Sequence, residues 1–275
     1  MKALRILSVL LIAAFVLAAC APAAATEAPA AEAPAAEGAG LPDLGGREVK
    51  IAVENAYPPF NFIDASTNAG NGWDYDAWTQ ICALLNCKPV FTEAAWEGIF
   101  EAAAAGEYDV VADGVTITEE RKQKVAFSQS YMHYGQVFLV RADESRFTDS
   151  KSIAADASII LASQIGTSNE AKAIEIAGED RVKSFETFDA AVMALLSKDV
   201  DAIVVDQPVA LGYMAINKGE LKHLDELLTS EDLGFVFQQG SDLIAPVDAA
   251  LDAMRASGEL DKLYNKWFVD FVPAQ

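Results

Sequence analysis

The chain has 275 residues, 52% of them hydrophobic, enough for one or two domains with a true core. Acidic residues outnumber basic ones 41 to 20, a formal net charge of −21 at pH 7. A polyanion of this kind repels nucleic acid and anionic lipid surfaces, which excludes a nucleic-acid partner and leaves the ligand class open.

Lys2 and Arg5 precede an apolar stretch, Ile6–Val16, too short to span a bilayer comfortably. Leu17-Ala18-Ala19-Cys20 follows and resembles a bacterial lipobox. That resemblance implies that residues 1–19 are a signal peptide and that Cys20 is lipidated as the mature N-terminus. An ordinary signal peptide cleaved at an alanine is the alternative. Without Lys2 and Arg5 the chain keeps 18 basic and 41 acidic residues, a net charge of −23. Since no second apolar run is long enough to cross a membrane, we expect an exported protein, tethered by lipid or free, in the periplasm or on the outer face of the cytoplasmic membrane. Residues 20–45 read as a linker. Their low-complexity part, 21–40, is alanine, proline and glutamate, which cannot bury enough apolar area to offset its ordering entropy.

From residue 47 strands alternate with helices, the pattern of parallel α/β sheets. Val49–Val53 reads as a strand ending at Glu54, and Trp73–Leu85 as a helix, apolar at Ala77, Trp78, Ile81, Leu84 and Leu85. Cys82 and Cys87 sit near the end of that helix. Oxidising export favours a disulfide between them, provided the helix ends at Asn86; two free buried thiols are the alternative. A metal site is not expected without a third soft ligand. Val90–Thr92 is a strand, Trp96–Ala104 a helix and Asp109–Ala112 a buried strand. Thr118, followed by two glutamates, reads as a helix start. Ser158–Ser163 is a strand ending at Gln164, Gly166-Thr167-Ser168 a tight loop and Asn169–Ile176 a helix. Phe188–Ser197 is a helix, and Ala202–Val205 a strand ending at Asp206. Four strands thus end at a polar group: Glu54, Asp113, Gln164 and Asp206. In open α/β sheets ligands bind beyond the carboxyl ends of strands.

The most informative stretch is Asp109–Tyr134. Its turn offers a glycine N–H at Gly114, the Thr116 hydroxyl and the Arg121 guanidinium, a set that can hold a small carboxylate by charge-assisted hydrogen bonds. The plainer reading is a surface helix whose Arg121 pairs with Glu119 or Glu120. Gly114-Val115-Thr116-Ile117-Thr118-Glu119-Glu120-Arg121, followed by Val125-Ala126-Phe127-Ser128 and Tyr131, resembles the signature of type II periplasmic solute-binding proteins that deliver polar amino acids to ABC transporters (extracellular solute-binding family 3). The likeness runs from about residue 47 to 272.

The resemblance implies an α/β fold of two lobes, each a mostly parallel sheet with flanking helices. Residues 46–134 and 231–272 would form one lobe and 135–230 the other, joined by a two-strand hinge that lets them close on a ligand. Arg121 and Thr116 would grip the ligand's α-carboxylate, beside Gly114. Asp206 would take the α-ammonium, Glu54 the polar parts, and Tyr57 and Trp96 would flank the side chain with Phe60 beside them. Gln164, Thr167 and Ser168 would be the second lobe's share, at a helix start. Asp206 also reads as a plain helix cap before Gln207-Pro208, and Tyr57 and Trp96 as core.

Asp113 stands where many relatives in that family carry a small residue such as serine or alanine. With Glu54 and Asp74 it would set three carboxylates near the ligand's side chain, which favours a cationic one (arginine, lysine or ornithine) over glutamine or another polar amino acid. Asp74 also reads as a simple helix start. No cofactor is expected. The expected partners are an amino acid, an ABC permease with its ATPase, and the membrane through a lipid anchor; a monomer is the default state. Two rival classes share the fold. A dehydratase-type enzyme would use Glu54 or Asp113 as general acid, but the sequence shows no nucleophile–base pair, and His133 and His223 read as surface or hinge residues. An amino-acid sensor would use the same ligand grip to signal, and one fused to a kinase or channel would need a span after residue 272.

Overall fold

The computed structural model describes residues 40–273, so the signal peptide, the Cys20 anchor and the low-complexity part of the linker lie outside the described residues. The end of the expected linker belongs to the folded body. Leu41 and Leu44 pack against the core, and Leu44 N–H donates to Leu85 O at 2.8 Å.

The first sheet and its covers come from strand β1 (Arg47–Val53), a separate three-stranded antiparallel sheet of β2 (Ala56–Tyr57), β3 (Asn61–Asp64) and β4 (Ala69–Asn71), helix α1 (Trp73–Leu85), β5 (Cys87–Glu93), α2 (Ile99–Ala105), β6 (Val110–Val111) and β7 (Ala126–Phe127). β8 (Met132–Tyr134) then leaves it. The second sheet uses β9 (Gln136–Arg141), α3 (Ser150–Ala155), β10 (Leu161–Gln164), α4 (Ser168–Ala177), β11 (Val182–Phe185), α5 (Phe188–Leu196), β12 (Ala202–Asp206), α6 (Gln207–Ile216) and β13 (Leu221–His223). β14 (Glu231–Leu233) returns to the first sheet, which β15 (Val236–Phe237), α7 (Ile244–Ser257) and α8 (Glu259–Tyr264) complete.

The strand orders are β5-β1-β6-β15-β7 and β11-β10-β12-β9-β13. In each sheet one strand runs against the others: β15 is antiparallel to β6 and β7, and β9 to β12 and β13. Both follow directly on the strands β8 and β14, which pair antiparallel with each other. The chain passes between the sheets twice, through this small ribbon. The fold is the two-lobed α/β arrangement the sequence implied.

Local chemistry sets several boundaries. Asn86 adopts the left-handed conformation at φ 53°, ends α1 and lets the chain double back, and Cys82 and Cys87 are joined by a disulfide. The expected helix from Trp96 begins only at Ile99, because Gly98 at φ 81° interrupts the helical path. The expected helix after Thr118 is a single 3-10 turn, Arg121–Gln123. Thr118 Oγ1 does cap it, accepting from Arg121 N at 3.1 Å. Val125 is buried and the next two residues leave helical geometry to pair with β15 as β7, so the turn cannot lengthen. Strand β10 starts at Leu161, since Ser158 is held in a turn by Asp156 Oδ1.

Candidate functional site

Strand ends converge here, as their placement in an open α/β sheet dictates. β1 delivers Glu54, β6 leads to Asp113 and Gly114, β10 ends at Gln164 and β12 at Asp206. Together with Tyr57, Trp96, Thr116, Arg121, Thr167 and Ser168 they line one cavity, to which Asn169 and Phe188 also contribute. Of the residues expected at the site only Asp74 is missing from its wall. That carboxylate is wholly buried behind it, and its Oδ2 accepts from Asn61 Nδ2 at 2.9 Å.

Asn61 ties this acidic cluster together. The same Nδ2 donates to Asp113 Oδ1 at 2.7 Å, while Asn61 Oδ1 accepts from Asn55 N at 2.7 Å. Asp113 is 3% exposed, and its Oδ2 has no hydrogen-bond partner. Burial pushes the Asp113 carboxyl up to about 7 against the opposing pull of Asn61. Glu54 is raised as well, by burial first and then by the Asp113 charge. Its Oε1 accepts from Gln164 Nε2 at 2.6 Å, a bond between the two sheets' strand ends.

Asp206 stands at the N-cap of α6 by position, yet its side chain does not cap the helix. Oδ2 accepts instead from the Tyr57 hydroxyl at 2.6 Å, and Oδ1 is without a partner. At 1% exposure, burial raises this carboxyl to about 7, with Glu231's charge adding and the Tyr57 hydrogen bond opposing.

Arg121 is the cationic counterpart. It makes no carboxylate ion pair among the described residues, and the nearby Glu119 pairs with Lys122. Nη1 donates to Thr116 O at 2.9 Å. The guanidinium carbon lies 5.3 Å from the Trp96 ring centroid and 4.7 Å from that of Phe100, so two aromatic faces hold the fork at the cavity. Burial lowers its pKa, partly offset by the surrounding anionic and phenolic groups. Phe100, four residues after Trp96 and across the Gly98 break, supplies this second face and was not among the residues expected at the site.

Gly114 meets a backbone and a packing demand here. Its φ of 55° is left-handed, and a Cβ would stand 2.8 Å from Tyr57 Cε1. Thr167 serves its own helix: Oγ1 accepts from Glu170 N at 3.0 Å and donates to Gln164 O at 2.6 Å. Ser168 reaches across, its Oγ 3.1 Å from Thr116 Oγ1. Asn61, Asn169 and Phe188 were not anticipated; Asn61 lies in the Tyr57-Pro58-Pro59-Phe60-Asn61 run whose aromatics alone had drawn notice.

Comparison with known proteins identifies the family and the fold. The model for bacterial extracellular solute-binding proteins, family 3, matches residues 49–270. A "Probable histidine-binding protein" of Neisseria gonorrhoeae is 27% identical over 232 residues, 81% of this chain and 84% of the relative. Among solved structures, an ancestral arginine-binding protein bound to glutamine is 33% identical, with a TM-score of 0.74 over 80% of this chain and 97% of its own. The arginine-, lysine- and histidine-binding protein ArtJ of Geobacillus stearothermophilus is 29% identical, with a TM-score of 0.75 over 81% of this chain and 95% of its own.

Proposed function

The chain belongs to the bacterial extracellular solute-binding proteins, family 3, and from that premise we propose that it captures a cationic amino acid between its two lobes for an ABC importer. Arg121 and Thr116 hold the α-carboxylate, and Asp206 holds the α-ammonium. Glu54 and Asp113 face the distal cation of the side chain, with Tyr57 and Trp96 as its apolar walls. Similar proteins whose names specify histidine, arginine or lysine support the ligand class.

One observation carries this reading. Asp206 Oδ1 and Asp113 Oδ2 are buried carboxylate oxygens without partners, on the wall of the cavity that Arg121 also lines. An unpaired buried carboxylate is costly, and a ligand bearing two cations relieves two of them. The zwitterionic part alone satisfies Arg121 and Asp206. The second cation distinguishes arginine, lysine or ornithine from glutamine.

Binding is the whole of the activity: no bond is made or broken, and the product is a closed, liganded shape. Ligand favours closure because it binds that form better than the open one. The protein is exported, anchored through Cys20 and presents its ligand to a membrane permease and its ATPase. A thermal-shift screen against the protein amino acids and ornithine, followed by titration calorimetry, tests the reading. A ligand at about a hundred times its Kd adds roughly 2.7 kcal/mol. We expect arginine, lysine or ornithine to stabilise most. A response to glutamine alone removes the cationic assignment, and silence across the panel removes amino-acid binding.

A further inference from the structure

A chain of hydroxyls runs from the cavity into the ribbon that joins the lobes. Gln136 Nε2 donates to Ser168 Oγ at 3.2 Å, and Ser168 Oγ lies 3.1 Å from Thr116 Oγ1. Thr116 Oγ1 is 2.6 Å from the Tyr134 hydroxyl, which donates to Glu231 Oε2 at 2.9 Å. Tyr134 and Glu231 face each other directly across the β8–β14 pair. Neither lines that cavity, although Glu231 lines the larger one adjoining it, which shares Arg121 and Ser168.

The ends of this chain fix its direction. An amide nitrogen only donates, and a carboxylate only accepts, while each hydroxyl has one proton. Tyr134 gives its proton to Glu231, so it can only accept from Thr116. Thr116 in turn has no proton left for Ser168 and accepts from it. Every link therefore points from Gln136 towards Glu231. Reversing any one would set two protons, or two lone pairs, against each other.

We propose that Glu231 is a positioning residue for the ligand cavity: as the terminal acceptor on the joining ribbon, it draws the Thr116 proton towards Tyr134 and leaves Thr116 Oγ1 facing the cavity as an acceptor. The inference rests on the amino-acid-binding reading and adds two residues outside the wall to it. Thr116 then serves the α-carboxylate through its backbone N–H and offers Oγ1 as an acceptor to the α-ammonium, a bond that is lost when the chain is broken. The ribbon through which the lobes are joined thereby sets the polarity of a cavity group, so ligand recognition and lobe connection share one set of bonds.

Titration calorimetry with L-arginine and L-glutamine on the full mature protein tests this. Tyr134→Phe removes the link and Glu231→Ala its end; each should weaken binding about five- to tenfold, the worth of one ordinary hydrogen bond. Because both break the same chain, the double variant should lose no more than either single one, where independent effects would multiply. Glu231→Gln, which keeps an acceptor oxygen, should restore most of the affinity. Unchanged melting temperatures without ligand would separate positioning from a folding defect. Wild-type affinity in Glu231→Ala, or multiplicative losses in the double variant, would overturn the proposal while leaving amino-acid binding in place. A wild type that binds neither probe nor any other amino acid would overturn the reading and this inference together.

Discussion

The Tyr57 hydroxyl donates to Asp206 Oδ2 at 2.6 Å, although the two residues are 149 positions apart and belong to strands of different sheets. The phenol leaves Asp206 one oxygen in use and one unpartnered. It thereby orients the carboxylate while keeping half of its accepting capacity for the cavity. Tyr57 is thus more than an apolar wall.

Removing that hydroxyl is the first prediction. Tyr57→Phe keeps the ring packed on Phe60 and Phe188, at centroid distances of 5.8 and 5.2 Å, and deletes one hydrogen bond to a buried acid. Bonds to charged groups are worth about 1.5–3 kcal/mol, so amino-acid affinity should fall roughly ten- to a hundredfold. Calorimetry measures the loss; an unchanged affinity would assign Tyr57 to packing alone.

The pH dependence follows from the same acid. Asp206 has its folded pKa raised to about 7 from an ordinary 3.8. Between those values the unfolded chain has lost a proton that the ligand-free fold keeps, so this group's contribution to stability is full below about 4 and is lost as pH rises towards 7. The melting temperature of the ligand-free protein relative to Asp206→Asn should therefore fall over that window. Affinity runs the other way. An ammonium requires the ionised acid, so binding at pH 6 should release protons and tighten towards pH 7. Calorimetry in buffers of different ionisation enthalpy counts those protons.

Asp113 should govern selectivity. Asp113→Asn retains an oxygen for Asn61 Nδ2, now 2.7 Å from Asp113 Oδ1, and removes the negative charge. Affinity for L-arginine should drop at least about tenfold, the scale of one charge-assisted bond, while L-glutamine is held or gains. Parallel losses for both amino acids would place Asp113 in the scaffold.

Gly114→Ala should damage both fold and site. Its φ of 55° strains any side chain, and the new Cβ would meet the Tyr57 ring at 2.8 Å. We expect a cost of about 1 kcal/mol from the backbone alone, with displacement of Tyr57 adding to it. Thermal unfolding and calorimetry on the same sample should both register the change.

Much of this was legible in the sequence because strand ends are local features. A run of apolar residues followed by a polar one marks Glu54, Asp113, Gln164 and Asp206 without any knowledge of pairing, and a parallel α/β pattern brings such ends together. Arg121 was legible by its motif. Asp74 misled because spacing puts it in the first turn of α1 without saying which way it points; Gly72, Asn61 and the wall of buried rings send it inward behind the cavity. Tyr134 and Glu231 were not legible at all. They are 97 residues apart, and only the register of the short β8–β14 ribbon makes them partners. The helix expected at Thr118 failed for a related reason, since the pairing of β7 with β15 overrides a good local cap.

The most direct test compares three ligands on the unaltered protein by calorimetry: L-arginine, agmatine, which lacks the carboxylate, and the 2-hydroxy analogue of arginine, which lacks the ammonium. If Arg121 and Asp206 form a two-charge clamp, each analogue should bind at least about a hundredfold more weakly than arginine, as expected for losing charge-assisted bonds in a buried site. Equal affinity for arginine and either analogue would contradict the clamp at that end, and equal affinity for all three would contradict it entirely.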